Sequence, residues 1–333
     1  MMKKIVSAIL IVFSFGFSEN SNAQDFHLSM YDAAPLFLNP AMTGVVEGQW
    51  RLHAQYRTQW KAVNFKPYQT ALVSFDKPLN NWGFGGQIAN YRAGIGNYNV
   101  LQGLASVGYT VPLDKKRANI ISFGIQGGLS QKSVEHQLHT FDNQYTTTNG
   151  GFFDNSLSNG ESFGGQSFVI PELNAGFLYY YAKQQSKLNP FFGVSAFNLL
   201  TPQESWYEID NELPMRFYAH AGVRVNLTET IYLIPKVLYQ RQKEFNELTV
   251  ASDVGVFLKK NELYLIGGLI YRANDAGIAS IGLKKENYIA RVSYDVNLST
   301  LTAASTGRGG FEVSFTYMHQ NKDKKTVKIC PRL

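Results

Sequence analysis

Tyr288-Ile289-Ala290-Arg291-Val292-Ser293-Tyr294-Asp295-Val296 reads as two interleaved faces. Ala290, Val292, Tyr294 and Val296 form one face, and Arg291, Ser293 and Asp295 form the other. A pleated strand places successive side chains on opposite sides, so this period of two is strand and not helix. The pattern recurs: Phe311, Val313, Phe315 and Tyr317 alternate with Glu312, Ser314 and Thr316. Earlier, Phe217, Ala219, Ala221, Val223 and Val225 alternate with Tyr218, His220, Gly222 and Arg224, and Leu52, Ala54 and Tyr56 with Arg51, His53, Gln55 and Arg57. One face is apolar and aromatic and the other small or charged, which suits a strand with lipid on one side and a polar lumen on the other.

Outward from these stretches, the same reading yields 14 strands, near 50–60, 69–76, 82–91, 100–111, 120–130, 171–182, 190–199, 216–225, 231–240, 248–258, 263–271, 277–283, 288–296 and 310–318. The number is even, as in bacterial single-chain barrels, and each stretch is close to the roughly 9 to 11 residues that cross a bilayer when tilted. The even-numbered connections are all short, and the long ones, near 131–170, 200–215 and 297–309, all have odd numbers. A barrel whose first strand starts in the periplasm sorts its loops this way. A soluble β-sandwich also has short strands but gives no reason for that parity. The predicted fold is therefore an all-β, antiparallel transmembrane β-barrel of about 14 strands with both termini periplasmic.

The ends and the composition agree. Lys3 and Lys4, the apolar run Ile5 to Phe17 and the small residues Ser21-Asn22-Ala23 predict a secretory signal peptide over 1–23, cleaved after Ala23. After Gln24 no apolar run approaches the length of a membrane helix. Aromatic residues are 14% of the chain and charged residues only 17%, below the roughly 25% usual in soluble domains. The net charge of +6 is not gathered into an aromatic-interleaved basic patch, which argues against nucleic acid. The single cysteine, Cys330, excludes an internal disulfide. The expected organisation is signal peptide 1–23, a plug-like segment 24–48, a barrel 49–318 and a polar periplasmic tail 319–333.

Motifs for catalysis are weak. His136 and His139 have metal-like spacing beside Glu135, but lie in the longest connection without a further ligand pair. Gly83-Phe84-Gly85-Gly86 and Gly94-Ile95-Gly96 precede strands, whereas a phosphate loop needs a following helix; they read as glycines of strands and tight turns. No G-x-S-x-G or plausible Cys/His pair is present, so no enzyme, metal or cofactor is expected. Arg51, Arg57, Arg224, Lys236, Arg291, Asp295 and Glu312 should face the lumen, either as a salt-bridge network filling a medium barrel or as the lining of a pore or a plug-binding surface.

QDFHLSMYDAAPLFLNPAMTG (Gln24 to Gly44), QYRTQW (Gln55 to Trp60), Tyr68, SFDKPL (Ser74 to Leu79), SYDVNLSTL (Ser293 to Leu301), GRGGFEVSFTY (Gly307 to Tyr317) and CPRL (Cys330 to Leu333) occur in this order along the chain. Together they resemble the PorP/SprF family of Bacteroidetes. The resemblance implies an outer-membrane protein of the type IX secretion or gliding machinery. It would partner a large cell-surface protein, in export or retention, or the periplasmic secretion apparatus. The alternative is a passive porin or small-solute transporter, and an enzyme within a barrel ranks behind both.

Three further expectations follow from particular residues. The segment 24–48 carries Phe26, Met30, Tyr31, Leu36, Phe37 and Leu38 with Pro35 and Pro40, so it should pack in the lumen or its periplasmic mouth, with Asn39-Pro40 turning the chain into the barrel. Arg308, Gly310, Val313 and Phe315, followed by Tyr317, fit the insertion signal of a C-terminal barrel strand. The 131–170 connection carries Phe141, Tyr145, Phe152, Phe153, Phe163 and Phe168, and the next long one Trp206 and Tyr207. Aromatic anchors of this kind suit recognition of a protein partner.

Overall fold

The computed structural model describes residues 27–59, 66–94, 96–135, 140–147, 150–154, 156–158, 160, 166–183, 186–206, 211–299, 302–305 and 307–320. Alternation governs the wall. The first strands are β1 (Trp50–Gln59), β2 (Tyr68–Leu79), β3 (Trp82–Ala93), β4 (Tyr98–Pro112) and β5 (Asn119–Ser133). A two-residue hairpin, β6 (Tyr145–Thr146) and β7 (Phe152–Phe153), stands apart from the wall. The wall resumes with β8 (Ser167–Tyr181), β9 (Leu188–Phe197), β10 (Arg216–Asn226), β11 (Ile231–Gln242) and β12 (Phe245–Leu258). It ends with β13 (Leu263–Arg272), β14 (Ala276–Lys285), β15 (Tyr288–Asn297) and β16 (Arg308–His319).

Fourteen of these strands close into one antiparallel barrel, sealed by β1 against β16 from Trp50↔His319 to Gln59↔Gly310. Every one of the 14 stretches read from alternation is a strand of the wall. β5 and β8 run to 15 residues each, longer than read, because they stay paired out to Ser133↔Ser167. The ladder then continues into the loop through Val134 N–H donating to the Gln166 carbonyl at 3.0 Å. Closure leaves no sheet edge to fray. The outer face of β16 shows Phe311, Val313 and Phe315 exposed, while Glu312 and Ser314 are buried inside. An outer surface of this kind suits lipid. Among the described residues no helix is long and apolar enough to cross a membrane.

The two rims differ. One has only short turns, 80–81, 113–118, 182–187, 227–230, 259–262 and 286–287; the other has the long connections 134–166, 198–215 and 298–307. Not every connection at that second rim is long: 243–244 and 273–275 are tight. Asn274 meets the left-handed backbone of its turn (φ 60°), a conformation asparagine tolerates better than most residues. Near the short-turn rim the aromatic side chains gather in pairs, Trp82–Tyr109 at 4.7 Å, Tyr288–Tyr317 at 4.9 Å and Trp50–Tyr317 at 5.1 Å. Aromatic girdles of this sort mark membrane interfaces.

Candidate functional site

The lumen is occupied by the chain's own amino-terminal segment. Of residues 28–46, all but Ala33 and Gly44 are buried. The segment crosses the barrel from rim to rim. His27 lies beside Arg57, Gln240 and Arg272 at the long-connection end, whereas Glu47 reaches Lys284 and Gln49 donates to the His319 carbonyl at the short-turn end. Trp50 and His319 thus lie at one rim and His27 at the other. Three short helical turns, Tyr31–Ala33, Pro35–Leu38 and Pro40–Met42, make up most of the crossing. Both prolines sit at the first position of a turn, where a missing N–H costs nothing.

The sequence reading put the step into the barrel at Asn39-Pro40. In the structure that pair lies mid-lumen, and the wall begins ten residues later at Trp50. The reason is the Asn39 side chain. Its oxygen accepts from the Ala41 N–H at 2.9 Å, closing the turn. Its amide donates to the Phe177 carbonyl at 2.9 Å and lies 3.2 Å from His220 Nε2. Asn39 therefore ties the segment to β8 and β10 instead of redirecting the chain.

One side of the segment is held by charge. Asp32 lies 2.5 Å from Lys236 and 2.7 Å from Arg291, and Asp253 completes the group at 2.6 Å from Lys236. The two cations offset the cost of burying the Asp32 carboxylate. Above this, the Ser29 N–H donates to Glu312 at 2.8 Å and its hydroxyl to Asp295 at 2.7 Å. Arg57 pairs with the same Asp295 at 2.7 Å. Nearer the short-turn rim the Gly44 N–H donates to Asp76 at 2.8 Å, which also holds Arg51 at 2.8 Å. Arg224 stacks on Tyr232, 3.7 Å from the ring centre. Arg51, Arg57, Arg224, Lys236, Arg291, Asp295 and Glu312 are thus all buried inside the barrel. Most of them bind one another and the segment together.

The other side is held by shape. Gly83, Gly108, Gly124 and Gly176 are direct cross-strand partners on β3, β4, β5 and β8. They form a row without side chains beneath residues 39–44. A Cβ on Gly124 would overlap the Pro40 carbonyl, and one on Gly83 or Gly108 would overlap the Thr43 carbonyl. Gly44, at φ 75°, lies with its own Cα against Gly83. Ser122 and Ser195 donate to the Ala41 and Leu38 carbonyls at 2.7 and 2.9 Å. Leu38, Ala41 and Met42 join Leu178, Tyr180 and Phe191 in an apolar cluster, so Phe37, Asn39 and Pro40 lie buried within the barrel. Of the four, only Gly83 belongs to a glycine run that stands out in the sequence; the seat appears once the register sets them side by side.

At the long-connection end, Tyr145, Phe152 and Phe153 are about half exposed on the β6–β7 hairpin, with Tyr145 edge-on to Phe153 at 5.3 Å. Phe141 is half-buried at its base. Gln144 is buried and donates to the Leu157 carbonyl at 2.9 Å, which folds the hairpin onto itself. Trp206 packs edge-on to Phe168 at 4.6 Å. There β8 runs past the end of β9, and Lys132 bonds Glu204 at 2.5 Å. His136 and His139 lie outside the described residues, as do Phe163, Tyr207, Cys330 and the stretch 1–23 predicted as a signal peptide. Gly310, Val313, Phe315 and Tyr317 belong to β16 at the seam with β1.

His27, Glu247 and Asp275 converge closely enough to hold a metal ion. Arg272 already stands among them, 2.6 Å from Asp275 and 3.6 Å from Glu247, so its guanidinium supplies the positive charge a cation would bring. Burial, followed by the charges of Arg272, Arg57 and Arg216, keeps the His27 imidazole well below its ordinary pKa.

The family described as type IX secretion system membrane protein PorP/SprF matches residues 20–317. No curated protein matches the sequence. Among solved structures the barrel resembles the toluene transporter TbuX of Ralstonia pickettii, at 9% identity and a TM-score of 0.52, covering 86% of this chain and 94% of that one. It also resembles a mutant of the monoaromatic hydrocarbon channel TodX, at 11% identity and a TM-score of 0.52, covering 85% and 93%. At such identities the likeness is one of fold.

Proposed function

The chain belongs to the PorP/SprF family of type IX secretion system membrane proteins, and from that premise we propose that it is an outer-membrane component of that machinery which binds a large surface protein for export or retention. The observation that carries this reading is the division of labour along the barrel. The lumen is taken by the protein's own residues 28–46, while exposed aromatic side chains stand on a self-supporting hairpin at one rim. A barrel closed in this way works through its surfaces. The long connections face outward and the short turns face the periplasm, in keeping with barrels of this type. Tyr145, Phe152 and Phe153, together with Phe141 and Trp206 of the long connections, form the recognition surface.

The rival reading is a passive porin or small-solute transporter, and the transport named for TbuX and TodX gives it its appeal. The occupied lumen argues against it here. Replacing residues 140–160 with a short Gly/Ser linker separates the two. We expect normal folding and insertion with loss of export or retention of one surface protein. Unchanged surface display would move recognition to the terminal segments.

A further inference from the structure

The wall steps down between β8 and β9 at the long-connection rim. β8 pairs with β5 along its whole length, from Ser133↔Ser167 to Asn119↔Tyr181, but with β9 only from Ala175↔Ala196 to Tyr180↔Phe191. The Leu199 N–H adds one bond to the Leu173 carbonyl at 2.9 Å. Beyond it, residues 167–172 form a free edge about 20 Å long. The register fixes which groups point out of that edge. The Val134 N–H donates to the Gln166 carbonyl, so the even-numbered residues of this stretch bond β5. Ser167, Val169 and Pro171 turn the other way. Their two N–H groups and three carbonyls have no partner among the described residues. Proline has no N–H to give, and within sheets it is confined to edges of this kind.

Residues 198–206, which leave β9, do not run along this edge. Trp206 packs on Phe168 and Glu204 bonds Lys132. Phe168 and Lys132 belong to the lumen face, like the buried Ile170 and Glu172, so the connection passes over the mouth of the barrel instead. Two properties of the surroundings restrict what fits the edge. On the outer face, Val169 and Leu129 are apolar and exposed, and β5 then turns polar at Gln131 and Ser133. The edge therefore lies at the margin of the apolar belt, where lipid offers an unpaired backbone group no hydrogen bond. On the mouth side, the flanking connections 134–166 and 198–215 contain four acidic residues each and no Lys or Arg.

We propose that the edge 167–172 of β8 docks an extended segment of the surface protein, which joins the wall there as an added strand. Main-chain bonds to Ser167, Val169 and Pro171 supply the attachment, and alternate side chains supply the selectivity. The segment alternates apolar residues, which continue the lipid-facing surface beside Val169, with Lys or Arg, which face the acidic connections over the mouth. The inference rests on the recognition reading above and gives the partner's contacting segment its chemistry.

The test uses the full-length protein in lipid nanodiscs and a dye-labelled probe peptide, acetyl-Val-Lys-Val-Lys-Val-Lys-amide, read by fluorescence anisotropy. We expect saturable binding at one site. An analogue with Glu in place of Lys, and one with Pro in place of Val, should each bind more weakly by roughly tenfold or more. Val169→Pro removes an N–H from the free edge and none from the ladder with β5. The barrel should therefore still insert, while probe binding falls by roughly tenfold or more. Ser167→Pro is the second variant should the first not insert. In cells, the inserted variant should also lose display of the surface protein. Equal binding of the proline analogue, binding unchanged in the edge variants, or unchanged surface display despite lost probe binding would overturn the proposal. So would a dimer of the full-length protein that Val169→Pro abolishes, since a second copy would then own the edge. Absence of saturable probe binding overturns it as well and leaves the hairpin reading standing, because the linker replacement tests that separately.

Discussion

Asp32 shows how much a single residue of the crossing segment carries. Its carboxylate faces Lys236 and Arg291 with almost no water. Removing one member of such a group leaves buried charge uncompensated, which costs about 3 to 5 kcal/mol. Asp32→Asn should therefore lower the resistance of the seated segment to urea by about that amount at neutral pH. Equal urea midpoints for the wild type and Asp32→Asn would remove Asp32 from the groups that hold the segment. The inward position of Arg291 is legible from alternation, because it shares a face with Ser293 and Asp295. Lys236 shares its inward face with Tyr232, Ile234 and Leu238, so only its charge marks it. Asp32 itself is not legible, because it lies in a segment with no periodicity to read.

At the scale of elements, alternation located every wall strand. It missed the lengths of β5 and β8, whose outer pairs depend on the folded connection beyond them. It also missed the glycine row. A glycine in a strand carries no sign of what approaches it, and only the register places Gly83, Gly108, Gly124 and Gly176 side by side. The turn at Asn39-Pro40 was read correctly as a turn and wrongly as the step into the wall. The bonds of Asn39 that fix it mid-lumen reach β8 and β10, more than a hundred residues away. The row makes a sharp prediction. Gly124→Leu leaves the outer face of β5 intact, so the barrel should still insert and still shift mobility on gels when heated. The Pro40 carbonyl, however, loses its place. A cysteine at Met42, in a Cys330→Ser background, should be shielded from a water-soluble maleimide in the parent and labelled in Gly124→Leu. Equal shielding in both would show that the segment is not seated by this row.

At the scale of the whole molecule, the amino-terminal segment is a thread and not a cork. Its two ends leave the lumen at opposite rims, so the barrel must close around it. With the long connections outward, a cysteine at Asn274, exposed in a turn of that rim, again without Cys330, should react with an impermeant maleimide on intact cells. One at Gln320, at the short-turn rim, should react only after permeabilisation. The reverse pattern would invert the proposed orientation. Closure of the barrel by its own chain is the claim on which the rest depends, since it separates a binding component from a channel. The most direct test is the current carried by the purified full-length protein in a planar bilayer, recorded beside Gly124→Leu. We expect no steady conductance from the natural sequence and stepwise openings from the variant. Stable, open, porin-like channels from the natural sequence would contradict it.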